Sequence, residues 1–210
     1  MRLIDTHAHL DFPDFEADLD QVMTRAAEAG VDRVITIGTD LASHERNARV
    51  VERFENVYQS VGLHPTDSEE FAGLETIAEL RKFAMEGERV VAIGEIGLDY
   101  YRSPHEEEKR RQQEQYRAQI ALARELTLPI SLHSRGAEEE CLRILREEIS
   151  ARPFYGGVAH CFAGPLALGM ELLEYGFFIS ISGIVTFENA PEVATLAEHI
   201  PLERLVLETD

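Results

Sequence analysis

Along the chain, short apolar runs alternate with longer stretches in which apolar residues return every three or four positions. The short runs lie at Leu3 to His9, Arg33 to Gly38, Val57 to Leu63, Val90 to Ile96, Leu128 to His133, Tyr155 to His160, Phe177 to Ser182 and Leu205 to Glu208, and they predict eight β-strands. Several are apolar almost throughout, as in Val90-Val91-Ala92-Ile93-Gly94, the pattern of strands buried on both faces of a parallel sheet. The longer stretches predict helices. Leu19, Val22, Met23, Ala26 and Ala27 share one helical face, and Gly30 suits the left-handed turn that ends it. A second helix runs from Leu41 to Phe54, and Leu74, Ile77, Leu80 and Ala84 stripe a third. The segment from Glu106 to Leu126 carries Tyr116, Ile120 and Ala123 at helical spacing, and Cys141, Leu145 and Ile149 mark a fifth helix. A sixth opens at Pro165 and closes before Gly176, and a seventh starts near Asn189 with Pro191 in its first turn.

Strands and helices thus alternate without a proline-rich or low-complexity linker, which points to an α/β fold, a TIM-type (β/α)8 barrel, more than to an open doubly wound sheet. Periodicity does not register closure, so the open sheet stands as the alternative. The 210 residues make one domain, 1–210, at about 150 residues per domain. The eighth strand is followed only by Thr209 and Asp210, so the barrel is expected to lack the usual final helix and to expose apolar surface on its first and last strands.

Composition adds exclusions. Hydrophobic residues at 44% and charged residues at 28% exclude a disordered or fibrous class. Twenty basic against 39 acidic residues leave a net charge of −19, which argues against a surface that wraps phosphate backbones and confines any nucleic-acid contact to a local site. The first residues are too briefly apolar for a signal peptide, and no run approaches a membrane span, so a cytoplasmic protein is expected. Cys141 and Cys161 are read as two reduced thiols.

The chemistry gathers at strand ends. His7 and His9 are separated by one residue on the first strand, so both imidazoles point the same way. Glu95, His133, His160 and Asp210 stand at the C-terminal ends of four later strands, the rim at which barrel active sites are built. A lone histidine there is as readily a hydrogen-bonded rim residue. Four imidazoles and two carboxylates around one mouth suit two divalent cations, with Glu95 the natural bridge because a carboxylate offers two oxygens. Such a donor set, without cysteine ligands, fits Mg²⁺, Mn²⁺ or Zn²⁺ hydrolysis of phosphoesters or acyl bonds better than iron–sulfur or copper chemistry.

Seven ordered blocks then carry a resemblance: Asp5-Thr6-His7-Ala8-His9-Leu10-Asp11, Gly62-Leu63-His64-Pro65, Gly94-Glu95-Ile96-Gly97-Leu98-Asp99-Tyr100, Leu132-His133-Ser134-Arg135, His160-Cys161-Phe162-Ala163-Gly164, Ser182-Gly183-Ile184-Val185-Thr186-Phe187 and Leu207-Glu208-Thr209-Asp210. Together they resemble the TatD family of metal-dependent deoxyribonucleases, related to the amidohydrolases. The resemblance implies a two-metal site in which His7, His9 and Asp210 hold one ion, His133 and His160 the other, Glu95 bridges, and Asp210 also handles protons. It implies a 3′–5′ exonuclease that hydrolyses phosphodiester bonds with a water activated by two metals. Family members continue past the Glu-Thr-Asp block into a Ser-Pro-containing loop and helices that this sequence does not contain.

Within the same blocks, His64 and Asp99 are candidates for touching substrate or orienting a ligand, although Gly-x-His-Pro also suits an ordinary turn. Arg135 is a candidate phosphate grip, against a salt bridge to Glu138 or Glu139, and Arg102 a weaker one. Lys109-Arg110-Arg111 reads as a solvated helix face. Tyr100, Tyr101 and Phe162 are candidates for stacking bases, against core packing. The expected partners are DNA ends, single-stranded, with no membrane and a monomer favoured. An acyl hydrolase on the same ligands, for an aminoacyl ester or amide, is the second reading, and a non-catalytic metal-binding domain the third.

Overall fold

In the computed structural model, which describes residues 2–150 and 153–210, strands β1 (Leu3–Ala8), β2 (Val31–Thr36), β3 (Val57–Val61), β4 (Val90–Asp99), β5 (Ile130–Arg135), β6 (Gly157–Ala159), β7 (Phe177–Ile181) and β8 (Leu205–Leu207) pair in sequence order into a closed barrel. Every neighbouring pair is parallel, including the seam where Asp5 of β1 meets Leu207 of β8. Closure decides between the barrel and the open sheet. The connecting helices are α1 (Leu19–Glu28), α2 (Leu41–Arg53), α3 (Leu74–Glu86), α4 (Glu106–Leu126), α5 (Glu138–Ile149), α6 (Leu166–Glu174) and α7 (Pro191–His199). A capping box opens α2, with the Asp40 side chain accepting from Ser43 N and the Ser43 hydroxyl answering Asp40 N.

Apolar side chains of β3 to β8 pack under α3 to α7 in one continuous core that includes Leu80, Ile93, Tyr116, Ile120, Leu145 and Phe177. A smaller cluster of Ala8, Leu10, Met23, Val34, Val51 and Val57 joins β1 to β3 with α1 and α2. Ile4 and Leu207, on the paired strands of the seam, are each about half exposed, at 48% and 49%. Among the described residues, no helix is long and apolar enough to cross a membrane.

The strands that carry His7 and Glu95 are the irregular ones. On β1, three residues from Asp5 to Ala8 span two on β2; on β4, three from Ile93 to Ile96 span two on β5. Each extra residue is a bulge, which re-aims side chains locally. The β4 bulge contains Gly94, at φ +137, and Gly97 follows at +146. A Cβ on Gly97 would stand 1.9 Å from His133 O, so only glycine permits this approach of β4 to β5. β4 consequently runs to Asp99, three residues beyond the Val90 to Ile96 segment read from its apolar run.

Candidate metal centre

His7 and His9 leave the C-terminal end of β1 with their Nε2 atoms 3.3 Å apart. Glu95, turned inward by the β4 bulge, is almost fully buried, and its two oxygens face different partners. Oε2 lies 3.4 Å from His7 Nε2 and 3.8 Å from His9 Nε2. Oε1 lies 2.7 Å from both His133 Nδ1 and His160 Nε2, which are themselves 3.1 Å apart. Asp210 Oδ1 closes the first group, 3.7 Å from each of His7 and His9 Nε2. All six residues expected to converge do so, and all but the fully buried His7 line a cavity of about 670 Å³ at the barrel mouth.

These separations fit cations. Nitrogen or oxygen donors about 2.1 Å from a common ion stand roughly 3 to 3.4 Å apart in octahedral or tetrahedral geometry. Imidazole nitrogens facing one another at 3.1 and 3.3 Å are spaced as two ligands of one cation would be. Three groups of donors lie within 4.8 Å of one another: His7, His9 and Glu95; His7, His160 and Asp210; and His64, Glu95 and His133. The charges answer one another. Burial pushes the Glu95 carboxyl up, but the surrounding His160, His7 and His133 rings outweigh it and hold the group well below the usual range. Burial likewise opposes charge on His160, yet Glu95 and Glu208 raise it well above an ordinary imidazole, whereas burial and the neighbouring His160 lower His7. Asp210, facing His9 first and then His160 and His7, is drawn down to about 2.

A second layer of carboxylates sets the rings. His133 Nε2 faces Asp99 Oδ2 at 3.2 Å, leaving Nδ1 to face Glu95. Asp99 is fully buried behind His133, so of the two roles read for it, touching substrate or orienting a ligand, its position suits the second. Glu208, which no expectation singled out, accepts from Cys161 N at 2.6 Å and approaches His160 Nδ1 to 3.7 Å. Its signal was present only as one of two acids beside the β8 end. Asp5 accepts from His7 N, Thr209 N and Thr209 Oγ1, and Asp210 N donates to His7 O, so β1 and the segment after β8 are tied at the centre.

His64 also reaches the centre, its Nε2 3.4 Å from Glu95 Oε1. The Thr66 N–H donates to His64 Nδ1 at 3.1 Å, so Nδ1 is the acceptor and the ring proton sits on Nε2. The ring therefore faces the centre as a donor. Its backbone is held from α4: Gln119 pairs both N and O of Leu63, at 2.8 and 3.0 Å, and Gln115 donates to the carbonyls of Leu63 and His64. Gln112, on the same stripe, pairs N and O of Asp99 at 2.9 and 3.3 Å.

Arg135 and Arg102 line the mouth. Arg102 stands 3.8 Å from Asp99 Oδ2, and Arg135 forms no ion pair among the described residues, with neither Glu138 nor Glu139. Lys109, Arg110 and Arg111 pair with glutamates along α4. Phe162 is buried in the core and the Tyr100 hydroxyl accepts from Gln113, whereas Tyr101 is 72% exposed. Cys141 is buried and Cys161 half-buried; both are free thiols.

Residues 4–210 match the sequence profile described as TatD related DNase. The metal-dependent hydrolase YabD of Bacillus subtilis is 39% identical over 210 residues, 99% of this chain and 79% of YabD. The 3′-5′ ssDNA/RNA exonuclease TatD of Klebsiella pneumoniae is 35% identical over 212 residues, covering 99% of this chain and 77% of its own. The crystal structure of YJJV, a TatD homolog from Escherichia coli K12, superposes with a TM-score of 0.89 at 33% identity, over all of this chain and 79% of that one.

Proposed function

The chain belongs to the family of TatD-related DNases, metal-dependent hydrolases, and from that premise we propose that it is a 3′–5′ exodeoxyribonuclease acting on single-stranded DNA ends with two divalent cations. The observation that carries the reading is the division of the Glu95 carboxylate, Oε2 toward His7 and His9 and Oε1 toward His133 and His160. One ion would be held by His7, His9, Asp210 and Glu95 Oε2, the other by His133, His160 and Glu95 Oε1. Cations of this kind supply Lewis acidity and lower the pKa of water.

The remaining work falls to the protein's own groups. Asp210, ionised at neutral pH and open to the mouth, accepts the proton of the attacking water at its carboxylate and returns it to the leaving 3′ oxygen. His64 Nε2–H donates toward the phosphate oxygens, and Arg135, free of a carboxylate partner, takes a phosphate through its guanidinium fork. Asp99 and Glu208 hold the His133 and His160 rings.

The test uses metal-stripped protein and a 5′-labelled single-stranded oligonucleotide, with Mg²⁺, Mn²⁺ or Zn²⁺ restored in turn and Glu95→Ala as control. A ladder that shortens from the 3′ end, requires metal and disappears in the variant is the expected result. Cation binding without cleavage of DNA moves the function to ester or amide substrates or to a non-catalytic role.

A further inference from the structure

We propose that Tyr101 and Arg135 form a preorganised shelf on which the nucleobase beside the cleaved phosphodiester stacks, so that the site takes nucleotides with splayed bases and not bare phosphate esters. The proposal rests on the nuclease reading above and adds the part of the substrate that reading leaves undefined.

The Arg135 guanidinium lies over the Tyr101 ring, 4.5 Å from its centroid. Arg135 is the last residue of β5 and Tyr101 lies two past the end of β4, and the backbone beside them is tied: Asp99 and Arg135 are register partners, and Tyr100 N donates to Arg135 O at 3.0 Å. Gly136, at φ +65, turns the chain away directly afterward, where a Cβ would already touch Tyr101. The shelf therefore needs no rearrangement to exist.

Its exposure is not ordinary surface. In a chain with 39 acidic residues, Arg102, Arg110, Arg143 and Arg146 all face carboxylates, yet the Arg135 guanidinium keeps a tyrosine for company and remains open to the cavity. Tyr100, next along the chain, is engaged by Gln113 and by Lys109 over its ring, whereas Tyr101, with Arg135 over its ring, is still 72% exposed. Across the mouth, Phe12 follows β1 and lies nearly parallel to His9 at 4.7 Å, one face already occupied by a proposed ligand. An aromatic face beside an unpaired guanidinium at the edge of a hydrolytic centre is the pairing that single-stranded nucleic acids use: the base stacks, the cation takes the neighbouring phosphate, and the stack tolerates any base.

The experiment uses the full chain in EDTA with single-stranded oligonucleotides carrying 2-aminopurine at one of the last three 3′ positions, reading both fluorescence and anisotropy. Wild type and Tyr101→Phe should quench the probe at one position. Tyr101→Ala should lose the quench and raise Kd about fivefold to a hundredfold. Arg135→Ala should also weaken binding, and Arg110→Ala, which removes an equal charge from the solvated face of α4, should not. With Mn²⁺ restored, Tyr101→Ala should raise KM by more than it lowers kcat. Quench and Kd unchanged in Tyr101→Ala, in a protein whose wild type trims DNA, overturn the shelf alone. Wild type that neither binds nor trims DNA overturns the nuclease reading and the shelf with it.

Discussion

Asp99 and Glu208 lie behind the rings whose nitrogens face the cavity, which makes their replacement a probe of orientation separate from substrate contact. Asp99→Asn should weaken metal affinity about 10- to 100-fold, as losses behind a ligating histidine do, with KM for DNA little changed. Competition with a fluorescent chelator reads the first quantity and steady-state kinetics the second; a raised KM at unaltered metal affinity would return Asp99 to substrate binding. Asp99 was visible in the sequence as a residue near the site, but the choice between touching substrate and orienting a ligand was not, because a strand-end position does not say which way a carboxylate turns. Glu208 was hidden for the same reason, one residue past the end of β8 and two before Asp210. A third residue, His44, gives a pH signature apart from the centre. Its ring packs over Gly38 and against Phe83, and burial lowers its pKa from 6.5 to about 4. Above pH 6.5 the ring is neutral in folded and unfolded chains alike. As pH falls toward 4 the unfolded chain takes the proton first, so stability is lost across that window, about 3 kcal/mol in all. Urea titrations of metal-free protein at pH 7.5 and 4.5 should show that loss reduced in His44→Gln.

The elements were mostly legible because buried parallel strands are apolar on both faces and helices carry one stripe; each of the eight strands lies within its predicted segment or, for β2, β4 and β5, extends past it. What periodicity did not show is the bulge that turns Glu95 inward, since a one-residue register slip between β4 and β5 leaves no pattern in either strand alone. Helix α4 was the other blind spot. Gln112, Gln115 and Gln119 drew no reading from the sequence, yet all three are buried, their side-chain amides standing in for a neighbouring strand and pairing the backbone of Leu63, His64 and Asp99. Polar residue type conceals this, because an amide that completes a backbone ladder looks the same in sequence as one that faces water. Gln112→Leu leaves Asp99 N unpaired in the interior, while Asp99 O keeps the Ser103 N–H, a cost of about 1 to 3 kcal/mol for the lost partner. Chemical denaturation should register that loss, and the metal affinity of the folded variant should fall with it as Asp99 drifts from His133.

At the scale of the whole molecule, a charge of −19 and a mouth carrying two arginines limit how the proposed DNA substrate would be held. Two phosphate contacts on a single strand give a slope of log K against log salt of about −1 to −2, far from the slope of about −10 of a repressor clamped on duplex. Binding measured between 50 and 200 mM KCl should fall only severalfold; a steep dependence would mean a wider basic track than Arg102 and Arg135 provide.

The seam of the barrel ties these scales together in time. His7 and His9 are made early, and Asp210 is brought beside them through contacts between residues 204 apart, Thr209 with Asp5, as β8 slides in beside β1. Closing so long a loop is the slowest kind of step to reward in folding, because the entropy is spent before the contact forms. On the proposed ligand assignment, a barrel whose eighth strand has not yet docked holds the imidazoles and Glu95 without the carboxylate proposed to close the first ion's shell, so closure of the seam and arming of the site are one event.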